Sequence, residues 1–249
     1  MRYDDRGFGE STGDFSQATT KDFADDAAAA ITYLASRDAL KSLPIGLIGH
    51  SEGGLIAPLT AEVNRSDFMV LLAGPGEKLS DVIIRQSEDI AKANGANPVA
   101  LLLQKAQQKA QFDLLRSAPA ETRRADLLAL LKKQSAPDAA AEAGVAQLTS
   151  PWMLWAFDYD PVPALSAYDG PVLALFGKKD LQVAADPNAD IMRPALTHSA
   201  SKVETLSGLN HLFQPAETGS PGEYTKIETT FDEGAMDTIS TWIDTVLDQ

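Results

Sequence analysis

Cysteine is absent from all 249 residues. That excludes disulfide scaffolds, thiol nucleophiles and Cys-bound zinc or iron–sulfur sites, and it leaves the redox compartment open. Histidine is nearly as scarce, with three residues, and none stands in the paired His or carboxylate cluster that a zinc site needs. Neither a metal nor another cofactor is expected. Basic side chains are outnumbered: 21 Lys and Arg face 35 Asp and Glu, for a formal charge of −14 and a pI near 4.5. Lys and Arg must supply most of the affinity for phosphate, so nucleic acid and anionic membrane are not expected partners. Long apolar runs are missing too, and no stretch suffices to cross a bilayer. The first residues, Met1-Arg2-Tyr3-Asp4-Asp5, lack the apolar core of a signal peptide. Read as it stands, the chain is expected in the cytoplasm, with an upstream signal beyond this sequence as the alternative.

What is present is a hydrophobic fraction of 44%, ample for a sizeable core, in a length that suits one large α/β domain or a domain with an inserted lid. Phe23, Ala27, Ile31 and Leu34 recur at helical spacing and predict a helix over 20–36, with Thr19 or Thr20 as its N-cap. Apolar runs predict strands at 45–49, 68–73, 171–176 and 202–206, and a last helix covers 233–247. Strands separated by helices read as crossover units of a parallel sheet. Between Gly76 and Tyr168 the rhythm breaks into Ala, Leu, Gln and Lys-rich helical stretches without a convincing strand. The stripes Val82, Ile83, Ile90 and Leu127, Leu128, Leu131 read as packing, and Ala136 to Ala146 as a mobile connection or a short helix. The expected organisation is a core of 1–76 and 169–249 interrupted by a helical cap, 77–168.

The most informative stretch is Ile45 to Gly54, where a short apolar run ends in Gly49-His50-Ser51-Glu52-Gly53 and an apolar helical segment follows. This matches G-x-S-x-G in the strand–turn–helix context of a nucleophile elbow. A serine on so tight a turn is strained, and Gly49 and Gly53 are expected to lack the Cβ atoms that would collide there. The hydroxyl is thereby lifted beside a helix N-terminus, whose free N–H groups can meet an oxyanion.

A serine hydroxyl needs a base to take its proton and a third group to hold that base. His50 adjoins Ser51, where neighbouring side chains point apart, and reads as structural; His198, among Thr197, Ser199 and Ser201, reads as a surface residue. His211 follows a predicted strand, in the position where a parallel sheet gathers catalytic side chains, and is the expected base. Asp180, after the strand at 171–176, is the expected acid by its place and by the chain order Ser, Asp, His. Asp186 and Asp190 are competitors and Asp160 a weaker one.

Through Arg2-Tyr3-Asp4-Asp5-Arg6-Gly7-Phe8-Gly9-Glu10-Ser11, the elbow at 49–53, the Asp180 loop and the Asn210-His211 loop, the chain resembles α/β-hydrolases of the serine esterase and serine aminopeptidase-like group. The resemblance runs over essentially the whole chain. It implies a mostly parallel sheet flanked by helices with an inserted helical cap, Ser51 as nucleophile, Asp180 as acid, His211 as base, and the backbone N–H of Glu52 as one oxyanion donor. Serine at the elbow, rather than aspartate or cysteine, points to acyl transfer to water. The glycines of Gly7-Phe8-Gly9-Glu10-Ser11-Thr12-Gly13 fail G-x-G-x-x-G, because Thr12 takes the third glycine's place, and read as a tight turn after a strand.

In the family that turn follows the fourth strand, whereas here it begins almost at Met1. By resemblance, the chain is an N-terminally truncated α/β-hydrolase without the first three strands and most of the fourth. The elbow strand is then left with an unpaired apolar edge. The loop after the third strand normally gives a second oxyanion N–H, and losing one donor costs on the order of 100- to 1000-fold in rate. A fragment, a misassigned start, and a chain that completes its sheet with another copy as a homo-oligomer are the three readings of this.

The leading function is hydrolysis of a small carboxylic ester, with Trp152, Trp155 and Phe157 walling an acyl pocket. The same cluster reads equally well as packing between cap and core. A peptidase acting on short peptides or arylamides, with Glu77, Glu52 or Asp158 binding a charged terminus, is the runner-up. A non-catalytic or impaired protein without part of its oxyanion hole is the third reading.

Overall fold

The computed structural model describes residues 1, 3–63 and 66–248. Its first helix, α1 (Thr20–Ala35), starts at a capping box: Thr19 accepts a hydrogen bond from the Asp22 N–H, and the Asp22 carboxylate accepts one from the Thr19 N–H. Thr19, and not Thr20, is therefore the N-cap, and two backbone donors are satisfied reciprocally. Ahead of it, Gly7, Gly9 and Gly13 take φ of 80°, 53° and 109° in a compact turn. Arg6 fastens that turn to α1 through a bidentate pair with Asp26, at 2.7 and 2.6 Å. The expected turn is present, but residues 3–5 before it form no strand, and Arg2 lies outside the described residues.

Four strands follow, β1 (Gly46–His50), β2 (Phe68–Leu72), β3 (Val172–Gly177) and β4 (Lys202–Leu206), each within a residue of its expected span at either end. They form one sheet in chain order, parallel throughout. Between β1 and β2 runs α2 (Gly53–Val63), between β3 and β4 runs a helix at Ala185–Ala195, and the chain closes with one at Glu233–Leu247. β2 and β3 are buried on both faces, which is why they read as continuous apolar runs rather than as alternation. Met69, Leu71, Ala174 and Phe176 pack on one face with Ala57, Ala189 and Met192; Phe68, Val70, Leu72, Leu173 and Leu175 pack on the other with Trp242. Each Val, Leu, Met or Phe side chain among them contributes about 1.5–3 kcal/mol on burial.

Six helices fill the interval from β2 to β3: α3 (Leu79–Ala93), α4 (Pro98–Ser117), α5 (Ala120–Lys133), α6 (Asp138–Leu148), α7 (Pro151–Ala156) and α8 (Val162–Ala167). The alanine-rich stretch is thus mostly helix. Phe112, Leu115, Leu127, Val145 and Met153 make a buried cluster of their own, separate from those on the sheet. The two later helices are α9 (Ala185–Ala195) and α10 (Glu233–Leu247).

The elbow strand lies at the edge. Among the described residues β1 pairs with β2 alone, and Ile48 in its middle is 59% exposed. A gap of about 430 Å³ runs beside it, lined by Tyr3, Ala27, Ile31, Leu34 and Leu47 among others. The expected unpaired, apolar edge is what the fold presents. Among the described residues, no helix is long and apolar enough to cross a membrane.

Candidate active site

Ser51 sits between the end of β1 and the start of α2 with φ of +56°. A non-glycine residue there is strained, at a cost on the order of 1–3 kcal/mol, and persists only where its surroundings fix it. They do. The Ser51 N–H donates to the Leu72 carbonyl at 2.8 Å, and the Gly54 N–H donates back to the Ser51 carbonyl at 2.9 Å. A Cβ on Gly49 would stand 2.0 Å from the Gly53 carbonyl oxygen, and one on Gly54 would stand 2.4 Å from Gly74 Cα. Gly53 differs from expectation, because a Cβ there meets nothing within 4 Å. The elbow is tight at its entry and where α2 crosses the strand β2 exit; at the first helical residue the Cβ direction is open.

At the carboxyl ends of β3 and β4, Asp180 and His211 meet. His211 Nδ1 and Asp180 Oδ2 are 2.7 Å apart, with side-chain exposures of 6% and 0%. The other oxygen of Asp180 accepts from the backbone N–H of Gln182 at 2.7 Å and of Val183 at 2.9 Å. A carboxylate only accepts, so Nδ1 carries the proton and the lone pair of a neutral His211 lies on Nε2. The competing aspartates are engaged elsewhere: Asp186 with Lys178, Asp190 with Arg193, and Asp160 with the Val162 N–H.

The His211 loop is held by Asn210 and by His50, the histidine expected to be structural. Buried Asn210 accepts through Oδ1 from the Leu212 and Gln214 N–H groups and donates through Nδ2 to Gln214 Oε1. His50 Nε2 lies 2.8 Å from the His211 carbonyl, with the two rings 4.8 Å apart. That carbonyl can only accept, so His50 is the donor, and it ties the elbow to the His211 loop. His50 is exposed along the open edge of β1, yet protein crowding round its ring still lowers its pKa below the usual histidine value, a shift that the hydrogen bond to the His211 carbonyl opposes. His198 accepts from the Ala200 N–H within its own turn. The structure thus brings Asp180 and His211 into contact and sets the His50–Ser51 elbow against them. Among the described residues no hydrogen bond joins the Ser51 hydroxyl to His211, and in unliganded sites that contact often tightens only with substrate.

Of the aromatic residues expected at an acyl pocket, Trp152 lines a cavity of about 370 Å³ beside Glu52, together with Phe15 and Phe23. Trp155 stacks on Tyr159 with ring centroids 4.8 Å apart. Phe157 is buried against Phe112 and beneath the Arg116 guanidinium. Among the described residues, no group of three or more His, Asp or Glu could hold a metal ion.

The model of a family described as "Serine aminopeptidase, S33" matches residues 1–214. The chain belongs to this serine aminopeptidase family of α/β-hydrolases. Among curated members of this wider group it is 23% identical over 244 residues to the esterase EstD of Thermotoga maritima, covering 98% of this chain and 52% of that protein. It therefore spans about half the length of that relative. Its fold is similar to that of a thermophilic esterase from Thermogutta terrifontis, at 20% identity and a TM-score of 0.50, covering 97% of this chain and 78% of that one. A structure from work on carboxylesterases of the thaumarchaeon Nitrososphaera gargenis gives 18% identity and a TM-score of 0.52, covering 99% and 79%. Identities this low show the α/β-hydrolase fold and nothing finer.

Proposed function

We propose that this member of the serine aminopeptidase family is a serine hydrolase that cleaves small carboxylic esters through an acyl-enzyme. The buried 2.7 Å contact between His211 Nδ1 and Asp180 carries the reading, because it leaves Nε2 of the ring as a free base. Ser51 Oγ attacks the ester carbonyl carbon and gives its proton to His211 Nε2. The negative oxygen of the tetrahedral intermediate takes the Glu52 N–H, which makes no hydrogen bond among the described residues. Collapse returns the proton from His211 to the departing alcohol, and water repeats the sequence to release the acid and regenerate Ser51. Asp180 keeps the ring in the required tautomer. The helices between β2 and β3 serve as a cap over the site.

Ester cleavage is favoured over peptide cleavage because EstD and the Thermogutta terrifontis protein are both named esterases. The family's own description supports the peptidase reading. Short p-nitrophenyl esters tested beside amino-acid arylamides separate the two. Turnover of esters, abolished in Ser51→Ala, with a fluorophosphonate adduct located on Ser51 by mass spectrometry, is the expected result. Turnover unchanged in Ser51→Ala would refute the assignment, and a folded protein with no adduct would identify a non-catalytic chain.

A further inference from the structure

Glu52, one residue after Ser51, sends its carboxylate away from the Asp180–His211 pair. One oxygen, Oε1, accepts from Trp152 Nε1 at 2.6 Å and from Thr20 Oγ1 at 2.7 Å. The donors come from elements far apart in the chain: Thr20 is the fully buried first residue of α1, and Trp152 belongs to α7. Hydrogen bonds to an ionised acceptor are shorter and stronger than neutral ones. A single side chain at the elbow therefore ties down both the core helix α1 and the helical segment.

The same carboxylate lies on the wall of the cavity of about 370 Å³, where Phe15, Ala18, Phe23 and Trp152 supply the apolar surface. The two serines on that wall are held within their own turns. Ser16 Oγ donates to Asp14 at 2.7 Å, and Ser150 Oγ accepts from the Met153 N–H at 3.1 Å. Among the described residues no Lys, Arg or His lines it. A volume of this size falls within the range of small-molecule sites, and a wall that is mostly apolar suits a largely apolar group. An anionic group entering there would meet the Glu52 carboxylate and lose its water without a cationic partner.

We infer that Glu52 is a positioning residue that couples the helical segment to the elbow, and that the cavity beside it takes an uncharged apolar group of the substrate. This rests on the reading of Ser51 as the nucleophile. Trp152 is at once a wall of the cavity and a ligand of Glu52, and the backbone N–H of Glu52 is the oxyanion donor. Filling the cavity and holding the oxyanion are thus linked through one carboxylate: a substrate long enough to press on Trp152 steadies the residue that stabilises its transition state. Chain-length preference is a property of this contact.

The experiment is a double-mutant cycle on kcat/KM across p-nitrophenyl esters from acetate to decanoate, using Trp152→Phe and Glu52→Ala. Trp152→Phe keeps most of the wall and removes the N–H donor. Each single variant is expected to lose about tenfold on octanoate and less on acetate, as removal of one charge-assisted bond implies, and the double variant to be no worse than the poorer single one. Glu52→Gln keeps the acceptor oxygen and should restore most of the rate lost in Glu52→Ala. Phe23→Trp, which fills the cavity, should lower octanoate turnover at least tenfold more than acetate turnover. The same cycle in urea unfolding reads the tether without turnover. Effects that multiply independently, or a chain-length profile that no variant moves while the unfolding cycle shows coupling, would overturn the inference and leave a structural tether. Retention of turnover in Ser51→Ala would instead remove the hydrolase reading, and the unfolding cycle would still report whether the tether exists.

Discussion

At the β3–β4 end of the sheet, Asp180, Asn210 and His211 are each held by two or more hydrogen bonds within a nearly dry setting, whereas at the β1 end Ser51 follows a strand with solvent along one edge. The same fold therefore positions its candidate acid and base by satisfied polar contacts, and its candidate nucleophile by sterics. Buried polar groups demand partners, so the first arrangement specifies a single geometry. The second relies on glycine at Gly49 and Gly54 and on the bond from the Ser51 N–H to Leu72, which keep the strained turn closed although β1 has one neighbour only. Precision at one end comes from side-chain hydrogen bonds, and at the other from backbone hydrogen bonds and the absence of side chains.

The largest expected effect tests the bonded end. Asp180→Asn is predicted to lower ester turnover by on the order of 10⁴, because an amide donor at that place forces the wrong tautomer on His211. A loss smaller than tenfold in steady-state kinetics would mean that another group holds the ring. Next come the two ends compared directly by urea unfolding. Leu173→Ala, in the fully buried middle of β3, should cost about 2–5 kcal/mol, and Ile48→Thr, on the open edge, no more than about 0.5 kcal/mol. An Ile48→Thr cost as large as that of Leu173→Ala would show that something covers this edge in solution.

The steric account of the elbow is sharpened by a pair of glycines. Gly49→Ala should destabilise by about 1–3 kcal/mol, since its Cβ is driven into a backbone carbonyl. Gly53→Ala should lie within about 0.5 kcal/mol of the parent or slightly above it, because its Cβ has room and alanine favours helix. Equal thermal shifts for the two would break this picture.

The smallest effect concerns pH. Partial desolvation of the ring lowers the folded-state pKa of His50, so as pH falls the unfolded chain takes up a proton first. The stability from neutral His50 is fully present above the unfolded pKa, about 6.5, and is lost as pH falls through the folded value. His50→Gln should therefore show a shallower loss of stability than the parent between neutral and mildly acidic pH. The difference is below about 0.5 kcal/mol, because the ring is partly open to water. Parallel pH profiles would show that the surroundings of His50 do not favour its neutral form.

Much of this was legible in the sequence. Apolar runs in Phe68–Leu72 and Val172–Gly177 marked the central strands, and the place of Asp180 and His211 after such strands put both at the same end of the sheet. The rest depended on contacts between residues far apart. Nothing in the chain distinguishes Gly53 from Gly54, since only the crossing of α2 over Gly74 decides which one lacks room for a Cβ. Likewise the expected strand before Gly7 has no counterpart in residues 3–5, because a strand needs a pairing partner that local pattern does not supply. Asn210 left no signal beyond its adjacency to His211, and the separation of Trp152 from Trp155 and Phe157 into different surroundings was invisible in a run of aromatic residues.

By itself, then, the sequence determined the order of strands and helices, the sharp turn at Ser51 and the absence of thiol chemistry, because periodicity and glycine placement act through neighbouring residues. Only the tertiary structure decided that Asp180 rather than Asp186 meets His211, that His50 bridges to the His211 loop, and that Glu52 joins α1 to α7. Those are meetings across 31, 161, 32 and 100 residues of chain. Such meetings follow from how the layers pack, and packing is a property of the whole chain rather than of any segment.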